Sequence, residues 1–183
     1  MAVSNKTYNN VLNTLLRMGE YHEQISTTSV GDIWEINLEK MQKMPLLHIN
    51  PISVVTGDSQ LTYNFQIFIC DLVTEKSNWT DNNARADFTK LVKKLSNEQD
   101  VFNETLQIAT DFIGMLRHSK QQSLNGVNDI NAPIYFTQDQ FTLEPFQERF
   151  DNLLCGYVFQ IGILVQNDFQ TCNIPARPSG AGY

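Results

Sequence analysis

The chain has 183 residues, 42% hydrophobic and 10% aromatic, which is enough for one globular domain with its own core. A net charge of −7 and a sequence pI of about 4.8 exclude the basic, phosphate-gripping surface of a nucleic-acid binder, although an acidic wall can stand beside DNA and let it slide. No apolar run reaches the roughly 18–20 residues of a membrane span, and the opening MAVSNKTYNN has no signal-peptide core.

Residues 6–20 place Tyr8, Val11, Leu12, Leu15, Leu16 and Met18 at helical spacing, with Ser4 as cap and Gly19 as the expected end. A Ser/Thr run at 26–29 follows. Residues 31–38, GDIWEINL, then alternate as a half-buried strand with Trp34, Ile36 and Leu38 on one side. After Pro45, the apolar run 46–55 is interrupted by Pro51, which predicts an edge strand or a bulge. Gly57-Asp58-Ser59 marks a turn. Residues 61–73 then alternate, with Leu61, Tyr63, Phe65, Ile67 and Ile69 facing one way, so the two runs read as a hairpin.

Residues 74–83 are polar around a lone Trp79 and read as an exposed loop. A second helix is expected from Ala84, Phe88, Leu91, Val92 and Leu95. A third is expected from the stripe of Phe102, Leu106, Ala109, Phe112, Ile113 and Leu116. The polar stretch 118–131 is a loop, and Ile134, Tyr135, Phe136 and Phe141 suggest an extended segment. In residues 144–154, Glu144, Glu148, Arg149 and Asp151 sit among Phe146, Phe150, Leu153 and Leu154 at spacings that suit a solvated helical turn with an ion pair. From Cys155 the period is two: Tyr157, Phe159, Ile161, Ile163 and Val165 oppose Val158, Gln160, Gly162, Leu164 and Gln166.

These elements predict an α+β fold, with a mixed, mainly antiparallel sheet and helices on one face. Residues 1–166 form the single domain. Residues 167–183 carry Pro175, Pro178, Gly180 and Gly182 without periodicity, and make an extended C-terminal arm that gains order only against something else.

Little in the chain points to catalysis. His22, His48 and His118 have no ligand partners at metal spacing, whereas a zinc site needs three or four converging groups. The odd, scattered Cys70, Cys155 and Cys172 suggest free thiols in a reducing compartment, and Cys155 is better explained by packing than by reactivity. No cofactor motif is present. The N-x-T triplets at Asn5, Asn78 and Asn103 carry no weight without a secretory signal. Trp79 either tucks onto its own domain or anchors a partner. Arg149 belongs to a local ion pair or, on a sharper reading, to an intersubunit one.

Three stretches resemble the tail-terminator and tail-completion proteins of the tailed-phage neck. They are Gly31 to Ile36 leading through Pro45-Leu46-Leu47-His48-Ile49, then Phe65 to Asp71, and Glu144-Pro145-Phe146 through Leu154-Cys155-Gly156-Tyr157. The resemblance covers about residues 1–170. It implies a structural virion subunit, made in the host cytoplasm, that closes into a ring of six or twelve copies. Such a ring joins a head-side connector to a tail tube or tail barrel and lets DNA pass without specific binding. It implies no catalysis, metal or cofactor. The subunit and partner contacts expected on this basis are Trp79, Phe146, Arg149, Pro175, Arg177, Pro178 and Tyr183. The competing expectation is an enzyme or small-ligand-binding α+β domain using the carboxylates Glu144, Glu148 and Asp151.

Overall fold

A computed structural model describes residues 8–32, 43–58, 60–73, 97–117, 136–149 and 154–166. It is an α+β fold. The elements run α1 (Tyr8–Tyr21), β1 (Thr27–Val30), β2 (Leu46–Thr56), β3 (Gln60–Leu72), α2 (Glu98–Arg117), β4 (Phe136–Thr137), β5 (Glu144–Arg149) and β6 (Leu154–Gln166). The six strands form one sheet in the order β1-β2-β3-β6, with β4 and β5 both pairing along the far side of β6. The β1–β2 pair is parallel and the other pairs are antiparallel, so the sheet is mixed and mainly antiparallel as expected.

The long strands form because their alternation is matched across the sheet. Phe65, Ile67 and Ile69 of β3 lie opposite Ile161, Phe159 and Tyr157 of β6. This face receives α1 through Val11, Leu15 and Met18, and α2 through Ile108, Ala109, Phe112, Ile113 and Leu116. Phe112 meets Phe159 edge-on at 6.5 Å, and Tyr8 lies over Tyr63 and Phe65. Burying one such aromatic side chain contributes roughly 2–3 kcal/mol, so this layer dominates the fold.

Several expectations change. Gly19 does not end α1, which continues to Tyr21. A Cβ there would lie 2.6 Å from Leu47 Cδ2 and 2.7 Å from Thr28 Oγ1, so glycine is set by the approach of helix to sheet. Thr27, Thr28 and Ser29 of the Ser/Thr run form β1 together with Val30, a polar sequence that is extended because β2 supplies the pairing. Pro51 does sit at a bulge, between Pro51 and Ser53. β1 pairs with residues 46–49, so this part of β2 is not an edge, and among the described residues no strand pairs with the second half of β2 on that side. On α2 the buried stripe includes Ile108, while Leu106 faces solvent.

Residues 144–149 are not a helical turn. They are strand β5, paired with β6 so that Phe146 lies opposite Gly156. The gain from burying Phe146 against Phe68, with rings edge-on at 5.9 Å, outweighs the weak helical preference of a few charges at i,i+3 and i,i+4 spacing. Of the strand expected at 31–38, Gly31 and Asp32 are not in a strand and the rest lies outside the described residues, as do the helix at 84–95, the loops at 74–83 and 118–131, and the arm at 167–183.

Candidate functional site

The titratable groups do not assemble into a reactive centre among the described residues, where no three His, Cys, Asp or Glu side chains converge. His22, at the end of α1, lies 3.7 Å from Asp111 of α2, while His48 is buried on β2 with its Nδ1 2.8 Å from Ser29 Oγ. His118 lies outside the described residues. Of the carboxylates in the enzyme reading, Asp151 lies outside the described residues, and Glu144 and Glu148 belong to a strand and not to a helical turn. Four residues apart on a strand, Glu144 and Glu148 have backbones about 13 Å apart.

Cys70 and Cys155 are buried free thiols, as expected. Cys70 lies opposite Gly156, and Cys155 opposite Asp71. Burial pushes the Cys70 thiol up to about 12, helped by the charge of Asp71 and by Cys155. Burial likewise pushes Cys155 up to about 11, with smaller contributions from Glu98 and Asp71. Both thiols are therefore protonated at neutral pH and are poor nucleophiles. The Asp71 carboxyl is itself raised by burial, against the opposing effect of the Leu72 N–H that donates to it at 2.6 Å.

The organised feature is the sheet face turned away from α1 and α2. At one end lies a second apolar cluster of Leu46, Phe68, Cys70, Phe146, Leu154 and Val158. Next along the strands comes the row Asn50–Gln66–Gln160, then Ser53–Asn64–Gly162, where Asn64 Nδ2 donates to Ser53 Oγ at 3.1 Å. Beside it Gln138 Nε2 donates to the Gln160 carbonyl at 3.0 Å. The last row is Val55–Thr62–Leu164–Phe136, spanning β2, β3, β6 and β4. It ends on an exposed apolar residue at both borders: Val55 and Phe136 are each 54% exposed.

These three rows hold no formal charge in a chain of net charge −7. A flat face of neutral amides ending in apolar residues can meet another surface without desolvating ions, as the cores of protein interfaces do. Its size is limiting, however. With strands about 4.8 Å apart and same-face residues about 7 Å apart, the rows span on the order of 200 Å². A stable interface needs about 800 Å² per partner.

Of the residues expected at contacts, Phe146 is buried in the second cluster and Arg149 closes β5 opposite Leu154. Trp79, Pro175, Arg177, Pro178 and Tyr183 lie outside the described residues. The outer rows went unnoticed in the sequence, although the phase of alternation in residues 155–166 already put Gln160, Gly162 and Leu164 on one side. No described helix is long and apolar enough to cross a membrane. The chain matches no protein-family model and no curated protein.

Proposed function

We propose that this chain is a structural subunit of a ring in the neck or tail of a tailed phage, joining a head-side connector to the tail and bordering the DNA path. The observation that carries this reading is the set of three uncharged rows on the outer face, the last of which ends on exposed Val55 at one side and on exposed Phe136 at the other. Two different borders on one sheet allow each copy to meet the next head to tail, the geometry that closes rings. The resemblance of Glu144-Pro145-Phe146 and Leu154-Cys155-Gly156-Tyr157 to tail-terminator proteins supports the same reading. The negative net charge suits a passage that DNA must cross without sticking.

Native mass spectrometry over a range of concentrations tests it. Six or twelve copies, or a concentration-driven rise toward them, is the expected result. A compact dimer that binds a metabolite, or a monomer unchanged by added tail tubes or connectors, overturns it.

A further inference from the structure

We draw no further inference here: the strongest candidate, the exposed apolar patch of Ile52, Val54 and Val55 in the second half of β2, carries nothing because nothing in the structure shows what covers it.

Discussion

Adding one methyl group at Gly156 should cost far more than its size suggests. Gly156 lies in β6 between β3 and β5, facing Cys70 on one side and Phe146 on the other. A Cβ there would collide with the Ile69 carbonyl oxygen and lie 2.8 Å from Cys70 Cα and 2.9 Å from the Ile69 carbonyl carbon. All three neighbours are backbone, so no rotamer change can make room, and the β3–β6 ladder itself must move. Overpacking costs roughly 1–3 kcal/mol where side chains can adjust, so Gly156→Ala should cost about 3 kcal/mol. For a domain of this size that lowers Tm by roughly 6–12 °C. Gly114, in α2, is the control, because a Cβ there meets nothing within 4 Å. Gly114→Ala should stabilise by about 0.5–1 kcal/mol, because alanine loses less conformational freedom in a helix. Urea denaturation followed by circular dichroism measures both. Shifts in the same direction, or a Gly156→Ala cost below about 0.5 kcal/mol, would refute the packing explanation.

Two further outcomes follow from the thiol region. Burial raises the Asp71 carboxyl in the folded state, so the fold is favoured below the unfolded carboxylate range and loses that contribution as pH rises through the folded value. Asp71→Asn should therefore stabilise the protein at neutral pH and make no difference in acid, and an equal effect at both ends of a pH series of urea midpoints would refute this. In native protein at mildly alkaline pH, Cys70 and Cys155 should resist a thiol-titrating reagent and react only on unfolding, because both pKa values lie near or above 11. Rapid native labelling of either, read by peptide mass mapping, would show that the strand pair opens.

What could be read from the sequence was what is local. Alternation in residues 61–73 and 155–166 placed each side chain on its correct face, because period two is fixed by backbone geometry. The apolar spacing in 8–18 found α1 for the same reason. The failures are all non-local. β1 has little apolar pattern of its own and is extended because β2 lies beside it. Gly19 carries the composition of a helix end, yet it is a contact point with Leu47 and Thr28. The charges of 144–149 have helical spacing, but β6 across from them decides the conformation. The uncharged outer rows are assembled from strands distant in sequence, and only the register brings Val55, Thr62, Leu164 and Phe136 into line.

The pairing of β3 with β6 runs unbroken from Gln60↔Gln166 to Leu72↔Leu154. Ladder hydrogen bonds lie across the strand direction. A pull on the chain end beyond Gln166, directed along β6, therefore loads the bonds of this ladder together in shear instead of opening them one at a time as a zipper. The hairpin-tip end of the sheet is thus a mechanically firm anchorage, and tension delivered there is shared along the full length of the two longest strands before it reaches the helices.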